Sequence, residues 1–195
     1  MEPVTLSGRH ATLEPLSREH QAAVLAAAAD GELWNLWYTS VPSPDKTGEW
    51  LDIALDMRER LGAMPFVVRD NGTGDVVGST RYFNVDAANR RLEIGHTWYA
   101  QRAQRTAINT ECKLLLLTHA FEALHCIAVE FRTHFFNHQS RRGIERLGAK
   151  LDGILRSHQI APNGTLRDTV VYSIIASEWP TVKAHLNYQL NEKLR

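Results

Sequence analysis

The chain has 195 residues, 44% of them hydrophobic and 23% charged, which is ordinary for a globular protein and suits a single domain over residues 1–195. Its 22 basic and 22 acidic residues leave no net charge when the histidines are neutral, which argues against a dedicated nucleic-acid binder or a protein of anionic membranes. The two cysteines form no metal-ligand or disulfide pattern, no run reaches transmembrane length and no signal peptide is recognisable, so we expect a cytoplasmic protein without a metal site.

The first part of the chain predicts a strand followed by two helices. Residues 9–16 read as a strand that Pro15 ends, and Ser17 is placed to cap a helix that continues to Ala29. The dipeptide at residues 43–44, Ser-Pro, opens the second helix, because proline is favoured in a first helical turn.

The second helix carries two stripes at helical spacing. The apolar stripe predicts its core-facing side and consists of Trp50, Ile53, Ala54, Met57 and Leu61. The acidic stripe consists of Asp45, Glu49, Asp52, Asp56 and Glu59. We interpret the acidic stripe as a solvated face, with the steering of a cationic amine as the alternative.

An aromatic segment at residues 33–42 joins the two helices and lacks a clear periodicity. Two interpretations stay open, because aromatic side chains fill cores and also line ligand pockets. If the segment walls a cleft, Trp34, Trp37 and Tyr38 are its candidate substrate-contacting residues.

The remainder predicts an antiparallel meander, a parallel crossover and a final hairpin. Short, turn-rich connections join strands at residues 66–69, 76–83 and 90–98. A long apolar helix over residues 108–124 and a half-buried strand over residues 128–135 complete a βαβ unit. A basic helix closed by Gly148, strands near residues 150–156 and 165–175, and a helix from Ser177 to about Leu190 follow.

Polar side chains converge at one end of this crossover. The carboxyl ends of the two parallel strands lead into residues 99–108 and 136–140, the place where parallel sheets bind ligands. The first amides of the long helix lack intrahelical partners, and the helix dipole is positive there. The two segments add side chains that suit a phosphate-bearing ligand, namely Gln104, Arg105, Asn137, Ser140 and Arg141.

These residues resemble the motifs of the GNAT superfamily of N-acetyltransferases, in its RimJ/RimL-like branch. The family pattern Arg/Gln-x-x-Gly-x-Gly/Ala is matched by residues 104–109, Gln-Arg-Thr-Ala-Ile-Asn, in which Ala107 and Asn109 replace the small residues. Residues 92–98 resemble the Glu-Ile-Gly strand, residues 137–140 the Asn-x-x-Ser segment, and residues 146–149 the Leu-Gly turn. The resemblance implies an α+β fold with a mixed, mostly antiparallel central sheet, a parallel acetyl-CoA-binding crossover and helices on both faces.

The resemblance also implies direct transfer of an acetyl group from acetyl-CoA to an amine. Glu93 is the candidate base, because a neutral amine must attack. Its alternative role is a structural carboxylate paired with Arg90, Arg81 or Arg132. The backbone N–H around Tyr99 is the implied donor to the oxyanion. Residues implied at the acetyl-CoA are Trp98, Tyr99, Gln104, Arg105, Thr106, Ala107, Ile108, Asn109, Thr110, Asn137, Ser140 and Arg141.

The leaving thiolate also requires a proton donor. Many family members have a tyrosine where this chain has Ile144, so we name Ser140 as its substitute. His96 and His138 are further candidates, because histidine titrates near neutrality, whereas His134 and His158 are expected to be structural or on the surface.

Three functions are compatible with these patterns. The first is an N-acetyltransferase that acts on a protein N-terminus or on a small-molecule amine. The second is a CoA-binding protein with little catalysis, which the residues at positions 107, 109 and 144 favour. The third is an interaction domain that forms a homodimer through a sheet edge or its last helix.

Overall fold

The computed structural model describes residues 1–39 and 41–192, and the elements within those ranges surround one sheet. The strands are β1 (Leu6–Ser7), β2 (Ala11–Pro15), β3 (Met64–Asp70), β4 (Val76–Asp86), β5 (Arg91–Tyr99), β6 (Ala128–His134), β7 (Lys150–Ile160) and β8 (Leu166–Ile175). The α-helices are α1 (Gln21–Ala29), α2 (Thr47–Leu61), α3 (Ala107–Thr118), α4 (His138–Arg146) and α5 (Trp179–Glu192). None of these described helices combines the length and the apolar character that crossing a membrane requires.

The sheet has the order β1-β2-β3-β4-β5-β6-β8-β7. Every neighbouring pair is antiparallel except β5 and β6, which are parallel and joined through α3. This arrangement confirms the predicted α+β class, the meander and the βαβ crossover. The final hairpin folds back so that β8 lies between β6 and β7.

Helices cover both faces of the sheet, as predicted. Arg81 of β4 contacts Met57 of α2, whereas the hydroxyl of the next residue, Tyr82, donates a hydrogen bond to the Leu116 carbonyl of α3 at 2.6 Å. Neighbouring side chains of a strand point to opposite faces. We therefore call the two sides the α2 face and the α3 face.

The prediction for the apolar stripe of α2 is wrong at two positions. Ile53 is 54% exposed and Leu61 is 65% exposed, while the buried positions are Thr47, Leu51, Ala54 and Leu55. The helix therefore turns a different stripe towards the sheet, and it holds Trp50 and Met57 half-buried above β4. Its acidic side chains are all exposed, as a solvated face requires.

The central helix α3 is largely buried and continues as a π-helical turn over His119–Ala123. Its residue Glu111 is 6% exposed although it carries a charge. The Glu111 carboxylate accepts hydrogen bonds from three successive backbone N–H groups at 2.9, 2.6 and 2.7 Å, those of Arg9, His10 and Ala11. This contact fastens the turn between β1 and β2 to the central helix.

Lys113 is the second buried charge of α3 and is also 6% exposed. Its ammonium group donates to the hydroxyls of Thr97 at 2.9 Å and Thr80 at 3.4 Å, which lie 2.8 Å from each other. Within the described ranges no carboxylate forms an ion pair with it. Burial lowers the pKa of Lys113 to about 8.

Candidate active site

The site begins where the two parallel strands part. β5 and β6 pair only through Arg91–Ala128, Leu92–Val129 and Glu93–Glu130, although both strands continue beyond that point. A register shift against β4 falls in the parted stretch of β5, where His96 adopts a left-handed φ of 49°. Such bulges re-aim side chains and backbone next to binding sites. The parting leaves backbone groups of both strands open to a ligand.

The backbone of Tyr99 faces this opening. The N–H of the next residue, Ala100, donates to the Val77 carbonyl at 2.8 Å, so Ala100 points towards β4. Successive residues of an antiparallel strand alternate between bonding to the neighbour and pointing away from it. The N–H of Tyr99 is therefore directed to the parted side, whereas its phenol is buried beside Cys112.

The N-terminus of α3 lies just past the end of β5. Thr106 caps the helix, because its hydroxyl accepts a hydrogen bond from the Ile108 N–H at 3.3 Å and donates one to the Ala103 carbonyl at 2.7 Å. Arg105 supplies the left-handed conformation of the turn with a φ of 63°, and its side chain is exposed. Ala107 is helical and buried, so its Cβ points into the protein, away from the approach to the amides.

Three of the predicted acetyl-CoA residues direct their side chains elsewhere. The Thr110 hydroxyl is buried and accepts a hydrogen bond from Arg146 at 3.0 Å, and the Ile108 side chain is 5% exposed in the core. The Gln104 side chain donates to the Tyr99 carbonyl at 3.0 Å and so braces the end of β5. None of these three side chains is free to meet a ligand. Asn109 is half-buried.

The start of α4 is occupied by internal contacts. The side-chain Oδ1 of Asn137 accepts a hydrogen bond from the Ser140 N–H at 3.0 Å and caps the helix. The Arg141 guanidinium donates to the Tyr172 hydroxyl at 3.2 Å and stacks on the Phe135 ring. The position at which many family members have a tyrosine is occupied by the buried Ile144, so α4 offers no phenol hydroxyl there. The Ser140 hydroxyl remains half-buried in the first turn.

Glu93 lies at the apex of the parting and is 3% exposed. Its Oε2 accepts a hydrogen bond from Asn84 at 2.9 Å and lies 3.5 Å from the Arg132 guanidinium. Its Oε1 lies 3.6 Å from the position that a Cβ would take at Gly95. Burial raises the pKa of Glu93, and the opposing effects of Asn84 and Arg132 do not cancel that rise. The carboxylate is therefore a stronger base than an exposed one.

Glu93 and the Tyr99 N–H are far apart along β5. The bulge absorbs one residue, so their Cα atoms are separated by roughly 17 Å at about 3.3 Å per residue. A side chain and one water cannot span that distance. Both groups face the opening, but they lie at its two ends.

The aromatic segment fits both interpretations, core filling for one residue and a cleft wall for two others. Trp34 packs against the core, whereas Trp37 is 53% exposed and its ring centroid lies 4.9 Å from that of His134. Tyr38 lies 6.4 Å from the same imidazole. Trp37 and Tyr38 therefore stand over the end of β6, on the side of the opening that α2 covers.

Three residues of this cleft were not singled out for the site from the sequence. His134 was expected to be structural, yet it lies beneath the two aromatic rings. Arg81 is 1% exposed and lies under Trp50, and Arg167 approaches both Glu93 and His134. The sequence contained one signal for the two arginines, which are charged residues inside the strands predicted at residues 76–83 and 165–175. Successive side chains of a strand alternate between its two faces, so a charged residue there can lie on a face that is covered by other elements.

Comparisons with known proteins agree with this geometry. A family model described as "Acetyltransferase (GNAT) domain" matches residues 10–150. YdaF of Bacillus subtilis (strain 168), provisionally named a ribosomal N-acetyltransferase, is 34% identical over 106 residues. That match covers 54% of this chain and 57% of YdaF, so the chain spans little more than half the length of this curated relative.

Solved structures match over almost the whole chain. A GCN5-related N-acetyltransferase from Brucella melitensis is 30% identical with a TM-score of 0.87, covering 99% of this chain and 88% of that one. RimJ of Mycobacterium smegmatis, solved in complex with CoA-disulfide, shares the fold at 23% identity with a TM-score of 0.77, covering 94% of this chain and 93% of that one. With its parted parallel strands and the family match over residues 10–150, this chain belongs to the GNAT family of acetyltransferases.

Proposed function

We propose that this chain is an acetyl-CoA-dependent N-acetyltransferase of the RimJ/RimL-like branch, which transfers an acetyl group directly to a primary amine. The observation that carries the proposal is the parting of β5 and β6 beside the capped N-terminus of α3. The amine belongs either to a protein N-terminus, as the name of YdaF suggests for that protein, or to a small molecule.

The residues present fit acetyl-CoA. The free amides at the start of α3 and the exposed Arg105 suit its diphosphate, because a helix N-terminus and a guanidinium both favour anions. Ala107 leaves the approach to those amides open despite replacing a glycine. The Tyr99 N–H suits an amide of the pantetheine arm, and the M. smegmatis RimJ complex contains CoA as a disulfide.

Glu93 is proposed as the general base. When bound, acetyl-CoA supplies an activated thioester, and the acceptor must lose a proton to attack it. Glu93 takes that proton through its Oε1, directly or through water, while Asn84 and Arg132 hold Oε2. An oxyanion donor that works with Glu93 lies near the bulge at His96, since Tyr99 is roughly 17 Å away. Ser140 remains the proposed proton donor to the thiolate.

Thermal unfolding with and without acetyl-CoA tests the cofactor. A ligand that binds only the folded state adds about 2.7 kcal/mol at a hundredfold excess over its dissociation constant, which raises the midpoint. Release of free thiol with a panel of amines then tests the transfer. A raised midpoint without thiol release would favour the second candidate, a CoA-binding protein with little catalysis, which the buried Ile144 supports. An unchanged midpoint at millimolar acetyl-CoA would refute both.

A further inference from the structure

Several buried hydrogen-bond donors around the cleft have no acceptor within residues 1–39 and 41–192. They are Arg81 Nε, Trp98 Nε1, His134 Nε2 and Arg167 Nε. The arginine and indole nitrogens can only donate. The His134 Nδ1 accepts from the Phe136 N–H at 3.1 Å, which assigns the hydrogen of the neutral ring to Nε2. Every unsatisfied atom of this set is therefore a donor, and it calls for an oxygen acceptor.

The register of the strands places all four side chains on the α2 face. The Trp50 ring connects the first two, since it lies 5.6 Å from the Arg81 guanidinium carbon and 6.2 Å from the Trp98 ring. Burial, together with the guanidiniums of Arg81 and Arg167, lowers the pKa of His96 to about 3, so both arginines lie within electrostatic reach of its ring. His96 is an exposed residue, so the α2 face is open to solvent beside it.

Positive charge exceeds negative charge around His96 on the α2 face. Glu130 forms ion pairs with Arg91 and Arg132. Among the described residues, Glu93 is then the carboxylate left to balance the charges of Arg81 and Arg167. Arg81 is 1% exposed and has no carboxylate partner in that part of the chain. Its Nη1 donates instead to the Met57 sulfur at 3.1 Å, and a thioether is a weak acceptor. A buried guanidinium without an anion is costly to the fold.

We propose that the acceptor amine carries an anionic oxygen group, a carboxylate or a phosphate, and that Arg81 and Trp98 bind this group. The inference rests on the proposed transfer reaction and names its substrate class. Met57 and Trp50 are half-buried and cover Arg81, so the anionic group enters by displacing the thioether. A guanidinium offers paired donors to such a group, and the indole N–H adds another. Glu93 then faces the amine end of the same molecule.

Matched acceptors that differ only in the anionic group test this proposal. Leucine is compared with leucinamide, phosphoethanolamine with ethanolamine, and all four with a C-terminally amidated alanyl tetrapeptide. Thiol release gives KM, and calorimetry in the presence of CoA gives the dissociation constant without turnover. We expect at least tenfold tighter binding and a correspondingly lower KM for the charged member of one pair. The pair that responds distinguishes carboxylate from phosphate.

Three variants locate the effect. Arg81→Met and Trp98→Phe are expected to abolish the preference for the charged acceptor. Arg60→Met, an exposed ion-pair variant on α2, is expected to retain it. Arg81→Met should also unfold at an unchanged or higher temperature, because it replaces an unpaired buried cation with an apolar chain of similar length. A structural guanidinium would instead give a lower midpoint.

Two outcomes would overturn the proposal. One is equal affinity for charged and uncharged acceptors or a preference for the tetrapeptide. The other is a destabilised Arg81→Met protein with an unchanged acceptor preference. Failure of the transfer reaction is distinguishable, since no amine would then release thiol while calorimetry would still report whether the charged probe binds through Arg81.

Discussion

Lys113 offers a direct test of how a buried charge affects this fold. Its ammonium is 6% exposed and meets two hydroxyls but no carboxylate within the described ranges. Burial lowers its pKa from 10.5 to about 8. At about 1.4 kcal/mol per unit, this shift corresponds to ~3 kcal/mol of lost stability wherever the lysine is charged in both states. We therefore expect Lys113→Met to stabilise the protein by ~2 kcal/mol at pH 7, after the loss of a hydrogen bond of ~1 kcal/mol.

The sign of the pH dependence follows from the same shift. From about pH 8 to 10.5 the unfolded chain still binds a proton that the folded chain has released. The stability of the wild type therefore rises through that window, and the advantage of the variant shrinks as pH approaches 10.5. The hydrogen bond between Thr80 and Thr97 survives the substitution, so their hydroxyls keep a partner.

Urea denaturation at pH 7 and pH 10 measures the difference between the two proteins. Lys46→Met, at an exposed position before α2, is the matched control and should change stability little at either pH. A Lys113→Met protein that is less stable than the wild type at pH 7 would refute the reasoning. So would a gain that is the same at both pH values.

Three further predictions concern the site and its support. Glu93→Gln should remove the acidic limb of the pH–rate profile, whose apparent pKa lies above 4.5 in the wild type because burial raises it; an unchanged limb would assign the base elsewhere. Arg105→Glu should weaken CoA binding at least tenfold in calorimetry, whereas Lys46→Glu should not, and equal effects would show that the turn is not the phosphate site. Glu111→Ala should cost about 2–4 kcal/mol in urea denaturation and speed amide exchange over residues 9–11, because three backbone donors lose their acceptor; intact protection there would contradict this role.

The crossover was predictable because its periodicity is local. The strand predicted at residues 90–98 is observed at Arg91–Tyr99, and the helix predicted at residues 108–124 at Ala107–Thr118 with a π-helical continuation. The side chains that fill these elements repeat within a few residues of each other along the chain. The parting of the strands could not be predicted from the sequence, because the pairing of β5 with β6 depends on residues that are distant along the chain.

The buried charges were not predictable for the same reason. Arg81, Glu111 and Lys113 are ordinary charged residues in the sequence, and only their tertiary partners make them unusual. The predicted stripe of α2 is wrong at Ile53 and Leu61, because the helix buries Leu51 and Leu55 instead, a direction that depends on tertiary packing and that helical spacing cannot reveal. A helical pattern identifies a helix more reliably than the direction it faces.

The parting of β5 and β6 also creates an edge inside the sheet. Unpaired strand edges readily pair with other chains, and proteins usually blunt them at the margins of a sheet. Here the exposed stretch is short and twisted by the left-handed residue at His96, which makes it a poor template for a second strand. An extended ligand with amides of its own would meet the same unpaired backbone groups that a strand would. The short length and the kink therefore let the sheet keep an open edge for a ligand without offering a second chain a site for aggregation.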